Sequence, residues 1–340
     1  MARIFVGLSG GVDSAVSAAL LKEAGHDVTG CFIRIWRPEF LECTWREDRL
    51  DALRVAAHLR IPFREVDLSQ EYERDVVRPM LEGYAGGFTP NPDTACNRHV
   101  KFDAFLSWAI REGADSIATG HYARIEHDPI VLRSAADTSK DQSYFLAQVP
   151  ASALEKAHFP LGGMLKSQVR AKAAALELPV ANKRDSQGLC FVGDVSMPEF
   201  LARYVSAEPG DVLAEDGAIL GRHDGALLYT RGQRHGLSIA ASSPYYVIET
   251  DTQANTITVS HDAGRASTRT LRLIDINRIE ETGDDALSCV VRYHGRPIRC
   301  RISRDKDSIL VELHEPVIAA RGQTCVLYSG DRVAASGVVC

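Results

Sequence analysis

"GLSGGVDS", residues 7–14, decides how this chain begins to fold, because it joins an apolar run to a helical pattern through two glycines. The preceding run, "RIFVGL", has the character of a strand, and apolar side chains at helical spacing predict a helix over Ser14–Ala24. A glycine turn between a strand and a helix is a common anion site, because N–H groups and the helix dipole converge there.

Strand and helix patterns alternate as far as about residue 205. Apolar runs at "DVTGCFIRIW", "FREVDL" and "DSIATG" predict further strands, and periodic patterns predict helices over Arg46–Leu59 and Val100–Arg111. This alternation predicts an α/β fold in which helices cover both faces of a parallel sheet. Ligands of such sheets gather at the carboxyl ends of the strands, where both "LSGG" and "ATGHY" fall.

The pattern changes after residue 205, where short apolar pieces are separated by glycine turns. From about residue 267 strands are expected throughout, and "CVVRYH" and "IRCRIS" around "GRP" predict a hairpin. The expected organisation is an α/β domain over 1–205, a small central β domain over 206–266 and a β-barrel over 267–340.

Composition excludes few functions. The 340 residues are 45% hydrophobic and 25% charged, which is ordinary for a globular protein, and no apolar run is long enough to span a membrane. The start "MARIFVGLSGG" has no signal-peptide pattern, so we expect a cytoplasmic protein. The net charge of −6 argues weakly against nucleic acid, although no acidic residue lies between Asp285 and Asp305. The arginines there predict either a basic face or a solvated hairpin.

Eight cysteines stand in the chain without a C-x-x-C pair, which argues against a zinc site. A reducing compartment argues against structural disulfides. Cys96 and Cys190 lie beside turn-forming and basic residues, which lower a thiol pKa and favour reactive thiolates. The cysteines interpreted as buried core thiols are Cys31, Cys289, Cys300 and Cys325.

The loop lacks the lysine of a Walker motif. Gly10 and Gly11 allow a close approach to phosphates, and Ser9 and Ser14 add hydroxyl groups. Asp13 would repel phosphate unless a divalent cation lies between them. A turn that binds nothing is the simpler alternative. The loop resembles the PP-loop of the ATP pyrophosphatases, which implies transfer of AMP to a carbonyl oxygen with release of pyrophosphate.

Several further blocks occur in order, and with the loop they resemble the tRNA-specific 2-thiouridylases over most of the chain. They are "TPNPDTACN" with "KF" following, "ATGHYAR", "KDQSYFL", "DSQGLCF" and "RGQRHGL". The resemblance implies a PP-loop domain, a small central β domain and a C-terminal β-barrel. Arg98 and His99 depart from the usual Lys/Arg-Glu, and Arg231 stands where a small apolar residue is common. None of these departures removes a catalytic group.

The resemblance implies a reaction on uridine 34, the wobble base of the tRNA anticodon. ATP and Mg²⁺ adenylate the C2 oxygen, with the cation near Asp13 and no stable metal site in the protein. Cys190 carries the incoming sulfur as a persulfide. Cys96 acts as the nucleophile that releases it, or closes a transient disulfide with Cys190. Asp93 matches the general acid/base residue.

The resemblance also implies the binding residues. ATP would be bound by Gly7, Leu8, Ser9, Gly10, Gly11, Val12, Asp13, Ser14, Ile33 and Gly120. The target base would be met by Asn91, Pro92 and Asp93. The tRNA would be met by His121, Lys140, Asp141, Gln142, Arg292, Tyr293 and Gln323, although a core histidine and a solvated polar loop are the alternatives for residues 121 and 140–142. The implied partners are the anticodon stem-loop and a sulfur donor, either a relay protein or a cysteine desulfurase.

Two other classes of protein keep the same loop. A PP-loop ligase or amidase acting on a small metabolite would need neither paired cysteines nor a basic barrel. A non-catalytic nucleotide or RNA binder would not need Asp13, Asp93, Cys96 and Cys190 together. The 4-thiouridine synthases carry RNA-binding domains ahead of their loop, whereas the loop here begins at residue 7.

Overall fold

A computed structural model of the chain describes residues 1–38, 40, 45–184, 195–237, 239, 243–280 and 287–340. Cys43 and Cys190 lie outside these ranges. The strands are β1 Arg3–Gly7, β2 Asp27–Arg34, β3 Phe63–Asp67, β4 Ser116–Ala118, β5 Ala123–His127, β6 Ile130–Ser134, β7 Ala157–His158, β8 Gly210–Leu213, β9 Ile219–His223, β10 Tyr246–Asp251, β11 Thr256–Ser260, β12 Thr268–Arg278, β13 Leu287–Val290, β14 Ile298–Arg304, β15 Ile309–Val317, β16 Thr324–Ser329 and β17 Arg332–Val339.

The helices lie mainly in the first 205 residues. They are α1 Val12–Glu23, α2 Trp45–Leu59, α3 Ser69–Tyr72, α4 Arg78–Ala85, α5 Pro92–Ala95, α6 Leu106–Arg111, α7 Ser143–Leu146, α8 Ala151–Leu154, α9 Lys166–Ala175 and α10 Met197–Leu201. Glu73–Val77 and Cys96–Phe105 are π-helical, and Ala226–Leu228 and Ala263–Ala266 are 3₁₀ turns. None of the helices in the described ranges is long and apolar enough to cross a bilayer.

The first sheet is parallel, in the order β3-β2-β1-β4-β7, so the predicted α/β class is confirmed. α1 packs against both β1 and α9. Since β1 and β4 are parallel neighbours, the residues that follow Gly7 and Ala118 emerge at the same sheet edge. The glycine loop and residues 119–122 therefore lie side by side.

The central β unit has the strand order β10-β11-β8-β9. Its small core contains Val212, Val247 and Ile257, which alternate with half-buried residues along their strands because one face of the sheet is covered more fully than the other.

The C-terminal strands close into a barrel, because β12 pairs with both β15 and β17 in the order β12-β15-β14-β13-β16-β17. The predicted hairpin is confirmed as an antiparallel pair with Cys289 opposite Ile298, although its first strand begins at Leu287. The predicted core thiols Cys31, Cys289, Cys300 and Cys325 are all buried. Burial raises the pKa of the Cys31 thiol to about 12.

A hairpin of the first domain extends the barrel wall. β6 pairs with β17 through Arg133 and Arg332, and the Ser134 N–H donates to the Asp331 carbonyl at 2.8 Å. The Asp331 carboxylate also binds Arg124 and Arg133 at 2.7 and 2.8 Å. Barrel residues join the core of the first domain, so the two units share one hydrophobic cluster.

Candidate active site

The glycine loop is held in shape by two serines. The Ser14 hydroxyl donates to the Gly11 carbonyl at 3.2 Å and accepts from the Ser9 N–H at 3.2 Å. The Ser9 and Ser14 hydroxyls lie 3.3 Å apart. Gly11 is the N-cap of α1 and has no side chain to occupy the first N–H groups of that helix. The loop is thus preformed around a helix N-terminus of the kind that binds phosphate.

Two glycines allow close backbone contacts around this loop. Gly10 has a φ of +77°, and a Cβ there would lie 2.3 Å from the Asp48 carbonyl oxygen of α2. A Cβ on Gly120 would lie 2.7 Å from the Ser14 nitrogen. Any larger residue at position 120 would displace the start of α1. Ile33, near the end of β2, lies beside Gly7: a Cβ added to Gly7 would be 3.6 Å from Ile33 Cδ1.

The Asp13 carboxylate is paired with a lysine from outside the glycine loop. Lys166, the first residue of α9, places its Nζ 2.8 Å from both carboxylate oxygens of Asp13. The Tyr122 hydroxyl donates to Asp13 Oδ1 at 2.8 Å. Over the described ranges, no group of three or more His, Cys, Asp or Glu side chains is arranged to hold a metal. One carboxylate suits a Mg²⁺ that takes most of its ligands from phosphates and water.

The cysteine helix, made of α5, the π-helical segment Cys96–Phe105 and α6, begins at Pro92, eight residues before the expected Val100. The Asn91 side chain accepts hydrogen bonds from the N–H groups of Asp93 and Thr94, both at 3.1 Å. Pro92 occupies the first helical position, which its fixed φ favours. Cys96 therefore lies in the second turn and not at the helix start, and is buried. Asp93 holds the first-turn position that sequence reasoning gave to the thiol.

A lysine and a histidine set the electrostatics beside Asp93. Burial raises the pKa of Asp93 above its usual range, and the charge of Lys101 opposes that shift. Lys101 Nζ lies 3.5 Å from His121 Nε2, and His121 Nδ1 lies 2.7 Å from Thr119 Oγ1. Burial, and to a smaller extent the positive charge of Lys101, hold the pKa of His121 well below its ordinary value. His121 is therefore neutral and positions Lys101.

Residues 119–122 connect the two candidate centres. Gly120 packs on the backbone of Asp13 and Ser14, and Tyr122 binds the Asp13 carboxylate. Between them, His121 faces the cysteine helix through Lys101. Four consecutive residues thus touch both the phosphate-type loop and the helix that carries Asp93 and Cys96.

The cysteine helix is reached by a segment that all three domains contact. The Thr89 hydroxyl lies 3.3 Å from that of Thr230 in the central unit. The Thr89 N–H donates to the Arg321 carbonyl of the barrel at 2.6 Å. Arg98 donates to both carboxylate oxygens of Asp275 on β12, at 2.5 and 3.1 Å. The position of Asn91 and its helix therefore depends on how the three units are joined.

The expected tRNA residues fall in two groups. Asp141 accepts from Ala135, Ser143 N–H and the Ser143 hydroxyl, and Gln142 exchanges hydrogen bonds with the Tyr122 backbone. Residues 141 and 142 are thus half-buried and hydrogen-bonded within the first domain. By contrast, Arg292 is exposed, while Lys140, Tyr293 and Gln323 are half-buried. The Tyr293 ring lies 4.3 Å from that of Phe145.

The arginines of the run without acidic residues have carboxylates from other parts of the barrel beside them. β15 pairs beside β14 and brings Glu312 opposite Arg301. Glu315 forms a 2.5 Å ion pair with Arg296. Carboxylates far along the chain therefore neutralise part of the arginine cluster, and a linear count of charges could not reveal them.

Cys190 lies outside the described residues, so its predicted persulfide and its predicted transient disulfide with Cys96 stay predictions. The chain enters that region at Lys183, whose Nζ binds Asp48 at 2.9 Å and Asp51 at 2.8 Å. Since the Asp48 backbone touches Gly10, residue 183 is tied to the neighbourhood of the glycine loop.

Sequence reasoning missed four contributors to the site. Lys101 and Tyr122 stand inside the quoted blocks "KF" and "ATGHYAR", so their motifs could have indicated them. Arg98 was noted only as a departure. Lys166 had no signal, because 153 residues separate it from Asp13.

Comparison with known protein families gives matches along the whole chain. Residues 2–194 match a family described as "tRNA methyl transferase HUP domain". Residues 198–261 match a "tRNA methyl transferase PRC-barrel domain", and residues 268–339 match an "Aminomethyltransferase beta-barrel domain".

Similar proteins carry a different description. The tRNA-specific 2-thiouridylase MnmA of Listeria welshimeri is 40% identical, over 99% of this chain and 94% of its own length. The protein of that name from Staphylococcus carnosus is 41% identical, over 97% and 92%. That from Akkermansia muciniphila is 46% identical, over 80% and 78%.

Proposed function

This chain belongs to the tRNA-specific 2-thiouridylase family, and from that premise we propose that it replaces the C2 oxygen of tRNA uridine 34 with sulfur. It is a tRNA-uridine 2-sulfurtransferase that cleaves ATP to AMP and pyrophosphate. The observation that carries the proposal is the contact of residues 119–122 with both the glycine loop and the helix of Asp93 and Cys96. A base that receives AMP and then sulfur requires the nucleotide loop and the sulfur-handling thiol to lie close together.

The nucleotide half of the reaction uses the loop at residues 7–14. ATP phosphates lie against the N–H groups at the start of α1, with Ile33 and Gly120 near the adenosine. The C2 oxygen of uracil attacks the α-phosphorus, the bond to the bridging oxygen breaks, and pyrophosphate leaves with the electron pair. Asp13 would hold the Mg²⁺ that accompanies ATP, and that cation would neutralise phosphate charge.

The base half uses the capped start of the cysteine helix. Asn91, Pro92 and Asp93 meet the flipped uracil, because the Asn91 cap fixes that turn. Asp93 takes the N3 proton of the uracil as the C2 oxygen becomes esterified. A carboxylate with a raised pKa suits this task, because a raised pKa makes it a stronger base. Lys101 balances the negative charge of the ionised carboxylate.

Sulfur transfer couples the two cysteines. The terminal sulfur of a Cys190 persulfide adds to C2, and the Cys96 thiolate attacks Cys190 Sγ. A Cys96–Cys190 disulfide forms as the persulfide S–S bond breaks, and its electron pair stays on the sulfur attached to C2. AMP leaves with the former C2 oxygen, and a thiol reductant then reduces the disulfide. In an alternative order, Cys96 first releases hydrosulfide, which adds to C2.

The partners are a tRNA, bound at its anticodon stem-loop, and a protein that delivers sulfur, either a relay protein or a cysteine desulfurase. His121, Lys140, Asp141, Gln142, Arg292, Tyr293 and Gln323 remain the proposed tRNA residues. Of these, Arg292 is exposed and suits phosphate. The proposed domains are 1–205, 206–266 and 267–340.

Mass analysis of tRNA after reaction with the purified chain, ATP and a persulfide donor tests the function. We expect oxygen-to-sulfur replacement at uridine 34 with release of pyrophosphate. Pyrophosphate release that needs no tRNA would indicate a small-metabolite ligase instead. Transfer of a methyl group, as the family descriptions suggest, would also contradict the proposal.

Two variants test the sulfur chemistry. Cys190→Ser is expected to take up no labelled persulfide sulfur, and Cys96→Ser to load sulfur yet form no product, each with thiolation reduced about 1000-fold or more. Cys31→Ser is the control, because Cys31 is a core thiol. If Cys96→Ser blocks loading and Cys190→Ser does not, the roles are reversed.

A further inference from the structure

The ion pair between Lys166 and Asp13 joins two parts of the chain at the start of α1. Lys166 Nζ lies 2.8 Å from each Asp13 carboxylate oxygen, and the two side chains are 15% and 31% exposed. An ion pair on a protein surface would leave the lysine far more exposed. This lysine instead points into the loop.

The surroundings of Lys166 hold its side chain in that direction. Its backbone N–H donates to Asp137 Oδ2 at 2.9 Å, which fixes the start of α9. Its Nζ lies 5.6 Å from the centre of the Tyr122 ring, and the Tyr122 hydroxyl binds the same carboxylate. Lys166 and Asp13 therefore form part of a built cluster with Tyr122.

The charge of the loop makes this cation important. Between Arg3 and Lys22 the sequence contains one charged residue, Asp13. A triphosphate bound there would meet a carboxylate and no cation from the loop itself. Lys183, the other lysine described beside the loop, binds Asp48 and Asp51.

We propose that Lys166 is a ligand of the β- and γ-phosphates of ATP, an assignment that rests on the function proposed above. In the structure its ammonium group binds Asp13. When ATP and its cation bind, the ammonium group contacts the phosphates and the Asp13 oxygens turn to the cation. As the α–β bond breaks, the same ammonium group stabilises the charge gained by pyrophosphate.

Binding of ATP, AMP and inorganic pyrophosphate to the full chain tests the assignment, each with Mg²⁺ present. Lys166→Gln is expected to weaken ATP and pyrophosphate about 10-fold or more and AMP about 2-fold or less, because AMP lacks the two outer phosphates. Lys172→Gln, which removes a half-buried α9 lysine paired with Glu23, is the control and should change neither affinity.

The Asp13→Asn variant distinguishes phosphate binding by Lys166 from simple neutralisation of the Asp13 charge. In Asp13→Asn the carboxylate charge is gone, so the double variant Asp13→Asn/Lys166→Gln leaves no unpaired charge and also guards against misfolding. We expect the added Lys166→Gln change to weaken pyrophosphate binding there too. No further loss, or equal losses for ATP and AMP, would overturn the assignment. If the wild-type chain binds ATP through Lys166 yet never thiolates tRNA, the proposed function fails and this assignment stands.

Discussion

The nucleotide loop and the cysteine helix are neighbours, yet they are built in different ways. The loop takes its shape from hydrogen bonds among residues 9–14 and from contacts within the first domain. The cysteine helix is reached through Thr89, which touches the central unit and the barrel. ATP activation thus depends on local structure, whereas placement of the base depends on the assembly of three domains.

Among the variants that change packing and not a reacting group, Gly120→Ala should give the largest effect, and it should act on the nucleotide loop. The added Cβ would lie 2.7 Å from the Ser14 nitrogen and must displace the start of α1. Because small displacements of reacting groups cost about 100-fold, we expect tRNA-dependent pyrophosphate release to fall by about that factor. Persulfide loading should stay normal, as labelled sulfur will reveal.

Gly163→Ala is the matched control for this variant, since nothing lies within 4 Å of the added Cβ. A Gly120→Ala chain that keeps full pyrophosphate release would mean that the loop tolerates movement. The contrast between a rigid loop and an assembled helix would then be lost.

The loop and the helix also differ in how far sequence alone could predict them. "GLSGGVDS" indicated its own strand, turn and helix because its contacts are local. "NPD" contained the signal for a helix start, an Asn cap before a proline, but the pattern of apolar residues directed attention to Val100. Lys166 and Glu312 could not be predicted, because each meets its partner only through tertiary pairing.

Arg98→Met should have a smaller effect, and it should alter the position of the cysteine helix without altering the nucleotide loop. It removes the bonds to Asp275 on the barrel and to Gln148. We expect kcat/KM for tRNA thiolation to fall about 3- to 10-fold with ATP affinity unchanged, as steady-state kinetics and nucleotide binding will measure.

Asp275→Asn should give part of the same loss, and the double variant little more than Arg98→Met alone. Arg222→Met, in an exposed pair with Asp211 of the central sheet, should leave thiolation unchanged. Additive losses from Arg98 and Asp275 would show that the two residues act separately and that their contact does not position the helix.

Asp93→Asn should abolish thiolation, whereas its effect on stability should be small. We expect an increase of about 2 °C in Tm at pH 7. Burial raises the folded-state pKa of Asp93, so the folded chain binds more protons than the unfolded one between the two pKa values. Its ionisation therefore lowers stability as the pH rises through that window, and Asn removes the cost.

Thermal unfolding of the wild type and of Asp93→Asn from pH 4 to pH 7 measures the difference between their Tm values, which should decrease as the pH falls. Asp103→Asn, an exposed aspartate of the same helix, is the control. A gap that is constant with pH would mean that the amide changes packing and not ionisation.

The pairing of β6 with β17 has a consequence for synthesis of the chain. β6 ends at residue 134 and its partner strand begins at residue 332, so about 200 residues must be translated before that edge is covered. At ribosomal speeds of about 5 to 20 residues per second, the nascent first domain waits about 10 to 40 s with an open strand edge. Such edges pair readily with other chains. The order of synthesis therefore leaves this edge open to pairing with other chains until the last strand of the barrel has been made.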